Sequence, residues 1–386
     1  MQQDKAQHST KHSAQHLAQH LAQHLAQHLA QHTPGMDDKG QNAVTDAFRT
    51  QVAYCEANSA PITARIVGAI GAVLAGDASN ALLERVRRWQ GAPLADAVPL
   101  RVAGGLHALH LAGGEPALDA MYRGMGGNDA DIVADVILRR EAELLPWLDS
   151  PPQTNEAGRS SNFIAAMLWL AQQGLPPRFE CFEIGSSAGI NLMMDRYAYD
   201  LGGVKVGPQS PVMAFRPEWR GAPPPEREIE IVSLEGCDVA PVNLADPAQA
   251  QRLKAYIWPE HTIRFDRMDA AIRAACDRPP DLVGMNAADF ADSRLSQPQE
   301  PGVTRVLMHS IVWQYVPQDQ QQRVTRAMEN AAARATPERP LAWVCVEANR
   351  KTHVHELTVR HWPHGPEPRL LAVAHAHGAY MEWLPD

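Results

Sequence analysis

From Val44 to about Leu148 the apolar residues recur at mixed three- and four-residue spacing, the period of amphipathic helices. The spacing predicts helices over 44–57, 61–75, 79–90 and 98–112. A further helix is predicted from Asp129 to Leu145, with Ile132, Val133, Val136, Ile137 and Leu144 on its buried side. Pro61 suits a first-turn position, and Gly76, Gly91 and the Gly113–Gly114 pair suit helix ends. No strand is predicted before residue 178. SPPQTNEAGRS at 150–160 reads as a loop, and 160–173 returns to helix.

After Pro177 the period changes. RFECFEIG (178–185) is a short apolar strand ending in glycine, with a predicted helix over 188–197 behind it. The stretch 200–226 is rich in Gly and Pro and reads as an insertion. EIEIVSLEG (228–236), DLVGMNAADF (281–290, with its exit loop), VTRVLMHSIVW (303–313) and LAWVCVEAN (341–349) supply further strands. Helices are predicted over 246–257, 266–276 and 318–335. HELTVRHW (355–362) and RLLAVAHAHGAYMEW (369–383) are strand-like, and the PHGPEP between them suits an antiparallel hairpin. The pattern predicts an α/β chain: an all-helical domain over 36–175, then a Rossmann-like, mainly parallel sheet domain over 176–386 with an antiparallel edge.

Residues 1–35 follow another rule. Seven of the 17 histidines stand at 8, 12, 16, 20, 24, 28 and 32, and four copies of LAQH fill 17–32. A four-residue repeat drifts around a helix that turns every 3.6 residues, so its Leu stripe keeps no fixed face. The tail reads as a repeat expansion ahead of a body starting at Met36, disordered or a loose helix, and dispensable for folding.

The chain is 45% hydrophobic and 20% charged, the balance of a globular protein. Its net charge of −9 argues against general nucleic-acid binding and against an anionic membrane surface. The most apolar stretch, Ile66 to Gly76, is too short to cross a bilayer, and the polar start lacks a signal peptide's apolar core. Five scattered cysteines without a CxxC pair argue against a disulfide framework or structural zinc. A cytoplasmic location is the expectation, with no metal.

In an open parallel sheet, ligands bind outside the carboxyl ends of the strands, where the strand order reverses. The first strand ends in EIGSSAGINL (183–192). Gly185 permits a tight turn, Ser186 to Gly189 let a ligand approach the backbone, and Glu183 offers an acceptor. The run is neither a dinucleotide G-x-G-x-x-G nor a phosphate-binding Walker loop, and no G-x-S-x-G elbow of an α/β-hydrolase occurs.

The run EIGSSAGINLMMDRYAYD at 183–200 resembles a bacterial family of uncharacterised proteins, a domain of unknown function. That family's signature reads E-x-G-x-S-A-G-L-N-L followed by D-R-Y. PPQTNEAGR (151–159), EGCDVAP (235–241), WPE (258–260), HSIVWQYVP (309–317) and AHGAYMEWL (376–384) match as well. The second half is similar to class I S-adenosylmethionine-dependent methyltransferases, which have seven strands and end in an antiparallel hairpin. That resemblance implies S-adenosylmethionine as cofactor. Glu183, Gly185, Ser187 and Gly189 would cradle its methionine part. Glu235 or Asp238, at the end of the second strand, would hold the ribose hydroxyls. Asn286 or Asp289, after the third, would meet the adenine. Ser187 replaces a glycine of the methyltransferase loop, and Asn286 replaces its more usual Asp.

On the substrate side, His309 at the end of the fourth strand is the candidate base, with Asp195 and Tyr197 as further catalytic candidates. Asn155, Glu156, Arg159, Arg196, Trp313 and Tyr315 are candidates to line the cleft. The expected activity is methyl transfer to a small molecule. Two alternatives stand beside it: a non-catalytic interaction or regulatory module on the same fold, and an enzyme using another nucleotide-like ligand in the same crevice.

Overall fold

The computed structural model describes residues 38–352 and 354–384. The His-rich repeat, and every expectation about it, lies outside these. Contacts divide the chain into two compact units: residues up to Thr154 with Gln251–Phe265, and Asn155–Ala250 with Asp266 onward. The expected domain boundary at 175 falls later in the chain than this division at 155.

The first unit is helical: α1 (Asp38–Ala57), α2 (Pro61–Ala75), α3 (Ala81–Arg87), α4 (Val98–Ala112), α5 (Pro116–Tyr122), α6 (Asp129–Arg139) and α7 (Glu141–Leu144). Phe48, Ile66, Ile70, Leu83, Val102, Leu106 and Ile137 meet in its core. The helix expected over 129–145 breaks at Arg140, which leaves helical geometry at φ −108°, ψ 23°. Arg139 and Arg140 both ion-pair there with the buried Glu115. Residues 251–265 return to this unit. Glu260 accepts the backbone N–H groups of Ile62 and Thr63 at 2.6 and 2.9 Å and the Thr63 hydroxyl at 2.8 Å. It caps α2, whose own preceding residue, Ala60, has no side chain able to do so.

The second unit opens with α8 (Ser160–Gln172), buried over its first eleven residues. Its strands are β1 (Arg178–Ile184), β2 (Ala198–Leu201), β3 (Val204–Val206), β4 (Ala214–Phe215), β5 (Glu218–Arg220), β6 (Glu230–Asp238), β7 (Asp281–Gly284), β8 (Thr304–Ser310), β9 (Leu341–Ala348), β10 (His355–Trp362), β11 (Gly365–Ala374) and β12 (Tyr380–Trp383). Helices α9 (Pro247–Ala255) and α10 (Thr262–Asp277) cross the divisions at 250 and 265, and α11 (Ala287–Leu295) and α12 (Gln318–Ala332) complete the list.

The large sheet has nine strands, in the order β5-β12-β11-β10-β9-β8-β1-β6-β7. This corrects the expected seven. Two causes account for it. The 369–383 run breaks at a turn through Gly378 (φ +69°) and makes two strands, and β5 from the Gly/Pro-rich insertion adds an edge parallel to β12. The rest of that insertion, with β2, forms a small sheet in the order β3-β2-β4. Strands β9, β8, β1, β6 and β7 are parallel; β10, β11 and β12 run on as an antiparallel meander. The chain builds outward from β1 through β6 to β7, then returns to β8 and β9 on the other side. The order therefore reverses between β1 and β8.

Register sets the two faces. Phe182, Leu307 and Trp343 align across β1, β8 and β9 and pack with Phe290 of α11 and Val324 and Met328 of α12. Glu183, Met308 and Val344 align on the other face, where His361 meets Trp169 of α8 edge-on at 5.7 Å.

Candidate functional site

The loop leaving β1 alternates into left-handed backbone at Gly185 (φ +69°), Ser187 (+53°) and Gly189 (+70°). A Cβ at 185 would collide with Val312, and one at 189 would lie 2.8 Å from Pro280. Neighbouring segments hold the loop by hydrogen bonds. Ser186 N–H donates to Cys237 O at 2.9 Å, Ser187 N–H to Asp238 Oδ2 at 2.9 Å, and Ile190 N–H to Asn155 Oδ1 at 3.0 Å. Ser187 O in turn accepts Val242 N–H at 3.0 Å. The expected helix over 188–197 is a 3₁₀ stretch, Asn191–Arg196.

Glu183 lies at the base of this loop, 1% exposed. Its Oε1 accepts Asn191 Nδ2–H at 2.7 Å. Its Oε2, Asn191 Oδ1 and Ser187 Oγ have no hydrogen-bond partner among the described residues. Burial pushes the Glu183 carboxyl up to about 7, against the opposing pull of Asn191, Ser186 and Arg159. Buried polar atoms are usually paired, and here two residues that bond each other, Glu183 and Asn191, each keep an unpaired acceptor.

Asn155, Glu156 and Arg159 are all buried. Asn155 clamps the β1 loop; it does not cap α8. Glu156 accepts Gly158 N–H at 3.2 Å and the Arg267 guanidinium at 3.4 Å. Arg159 Nε donates to Ala376 O at 2.9 Å, where Gly158 and Gly378 pack backbone to backbone. Pieces 151–159, 235–241, 309–317 and 376–384 thus converge on or beside the 183–192 loop. WPE does not: its Glu260 caps α2.

The other candidates are placed as follows. Asp238 Oδ1 accepts Ala240 N–H at 2.9 Å, so the carboxylate bridges two loops. Glu235 lies earlier on β6, gripped by the Arg294 fork. Asn286 is the N-cap of α11, accepting Asp289 N–H at 2.9 Å and donating to the Asp289 carboxylate at 2.6 Å; Asp289 also pairs with Arg323. Asp195 pairs with Arg278 at 3.0 Å, and Arg196 donates to the Ala274 and Arg278 carbonyls at the end of α10. The buried Tyr197 hydroxyl donates to Ile190 O at 2.8 Å. Tyr315 is 74% exposed.

His309 sits on the opposite sheet face from Glu183. Its Nδ1 lies 2.7 Å from Glu347 Oε1, and Trp313 stacks on the ring at 5.0 Å. Burial alone would lower the ring's pKa, but Cys345 and Glu347 outweigh it and lift the ring to about 10. Both neighbours favour the protonated ring. The paired His375 and His377 lie in the β11–β12 turn, not on a strand.

Asn191 and Cys345 escaped the sequence reading. Asn191 stands inside the signature run, so proximity to Glu183 was its available signal; Cys345 has none until the β8–β9 register is known. No group of three or more His, Cys, Asp or Glu able to hold a metal occurs among the described residues, and no helix there is long and apolar enough to cross a membrane.

Neither the comparison with curated proteins nor that with solved structures finds a match. A family profile, described as "Uncharacterized protein conserved in bacteria (DUF2332)", matches residues 45–383. The match spans both units, and the chain belongs to the DUF2332 family of uncharacterised bacterial proteins.

Proposed function

We propose that the carboxyl end of the parallel sheet binds S-adenosylmethionine and that the protein is a methyltransferase acting on a small molecule. The observation that carries this reading is the pair of unpartnered buried oxygens, Glu183 Oε2 and Asn191 Oδ1, under a left-handed loop beside the strand-order reversal. Their chemistry fits the cofactor. Two acceptors at the base of the loop suit an ammonium group, and Asp238 keeps lone pairs for a diol beyond its two backbone bonds.

When bound, the cofactor supplies an activated methyl group. Glu183 and Asn191 bind and orient its amino end, and ionised Glu183 adds an opposite charge. Asp238 holds the ribose while keeping the Ser187 turn in shape. Catalysis then rests on proximity and alignment. His309, on the opposite sheet face from Glu183 and held by Glu347, is not given the acceptor's proton in this reading. Melting in the presence of S-adenosylmethionine or S-adenosylhomocysteine tests the reading. Ligand at ~100 times its dissociation constant adds roughly 2.7 kcal/mol; no shift at millimolar ligand contradicts it.

One observation favours a second reading, a non-catalytic interaction or regulatory module. Val312 and Pro280 occupy the space a side chain at 185 or 189 would need, so packing alone calls for both glycines. Mass spectrometry of gently purified protein separates the readings: the module carries no nucleoside, and a nucleotide-like ligand other than S-adenosylmethionine identifies itself by mass.

A further inference from the structure

Three side chains on the α11–α12 face of the sheet form an array that the cofactor reading does not use. Cys345 stands directly across from His309 in the parallel β8–β9 register. Glu347 follows two residues later on the same strand and face. Its Oε1, 2.7 Å from His309 Nδ1, also accepts the backbone N–H groups of Val312 and Trp313 at 3.1 and 3.2 Å. The main chain thus fixes the carboxylate, and the carboxylate fixes the ring. Trp313 covers one side of the imidazole and Trp343 meets it edge-on at 6.2 Å. His309 is 2% exposed, and its Nε2 has no hydrogen-bond partner among the described residues. Cys345 is partly exposed. Register thus places Cys345, a candidate nucleophile, across from a ring that Glu347 orients.

We propose that Cys345, His309 and Glu347 form a reactive thiol site at which Cys345 is oxidised by hydroperoxides. The titratable groups acting on the ring are Cys345 and Glu347, both on β9; its other described ring neighbours are the two indoles. The nucleophile in such a reaction is the thiolate, and a protonated ring across from it supplies the balancing charge. The Cys345 sulfur attacks one peroxide oxygen and an S–O bond forms. The O–O bond breaks with its electron pair on the departing oxygen, which takes the proton of His309. The products are a sulfenic acid at Cys345, neutral His309, and water from hydrogen peroxide or an alcohol from an organic hydroperoxide; sulfur is oxidised and the peroxide reduced.

Acyl transfer fits the site less well. Val312 and Trp313 N–H both donate to Glu347, and Ile311 N–H donates to Val346 O at 2.9 Å. Residues 311–313 therefore leave no backbone donor for a tetrahedral oxyanion, which displacement at a peroxide does not create. The other cysteines give internal references. Cys55, Cys181 and Cys237 are buried, with burial pushing the Cys55 thiol up to about 11 and Cys237 to about 12, while Cys276 is exposed.

The test needs no cofactor. The native full chain is treated with hydrogen peroxide across a pH series and trapped with dimedone, and the adduct at each cysteine is quantified by peptide mass spectrometry. At pH 7 Cys345 is expected to be trapped at least about tenfold faster than Cys276, with a rate that changes little with pH while that of Cys276 climbs. His309→Asn with an unchanged circular dichroism spectrum is expected to bring the two rates together. Glu347→Gln is expected to shift the pH profile of Cys345. Equal rates and equal pH profiles in the wild type overturn the proposal whatever the variants do, and so does selectivity that survives unfolding in urea.

Discussion

Asp238 Oδ2 accepts the Ser187 backbone N–H at 2.9 Å, a bond that joins residues 51 apart and ties the end of β6 to the loop after β1. Oδ1 of the same carboxylate holds Ala240 N–H. Replacing Asp238 with alanine leaves two loop donors to water and frees a left-handed turn. The expected cost is about 1–3 kcal/mol in urea unfolding, with little change in the unfolding slope.

Gly185 carries a second constraint of the same loop. Gly185→Ala places a methyl group against Val312 and strains a backbone at φ +69°. A loss of roughly 2–4 kcal/mol is expected from the two effects together. Val312→Ala in the same chain should restore only part of it, because Val312 Cβ itself would lie 2.8 Å from the new Cβ and the φ penalty stays. Full recovery would mean that backbone strain plays no part.

Glu183 makes stability depend on pH. Its carboxyl is raised from 4.5 to about 7, so between these values the folded chain binds a proton that the unfolded chain has released. Its contribution is whole below about pH 4.5 and is lost as pH rises through about 7. The expected loss is roughly 3 kcal/mol, with no further change from this group above that window. Denaturation from pH 5 to 8 reads this slope, and Glu183→Gln should flatten it. An unaltered slope in the variant would assign the effect to another group.

Much of the fold was legible before any coordinates, and its gaps share one cause. The apolar runs at 178–185, 303–313 and 341–349 became β1, β8 and β9 because a strand buried on both faces needs no alternation. The helices that open at Pro61 and close before Gly76 and Gly113 kept their ends, since those signals are local. What stayed hidden depends on partners far along the chain: the return of 251–265 to the helical unit, the edge strand β5, and the Cys345–His309 register. The places of Gly185, Glu183 and Asp238 at strand ends were legible from the apolar runs alone. Strand position shows where Asn286 sits, but not that its amide caps α11, which depends on the helix that follows.

Glu260 offers a check confined to the helical unit. Glu260→Ala removes three hydrogen bonds from the start of α2. The Ile62 and Thr63 amides should then exchange with solvent faster, at a stability cost of about 1–2 kcal/mol. Unchanged exchange at these two amides would show that water replaces the cap without loss.

Isothermal titration calorimetry with S-adenosylhomocysteine addresses the central claim most directly. The wild-type chain should bind saturably at one site. If Glu183 meets the ligand's ammonium group as proposed, affinity should rise as pH passes through about 7, where its carboxyl ionises. Asp238→Ala, checked to be folded, should lose most of the binding. An absence of heat from the wild type at millimolar ligand, at both pH 6 and pH 8, would contradict the account.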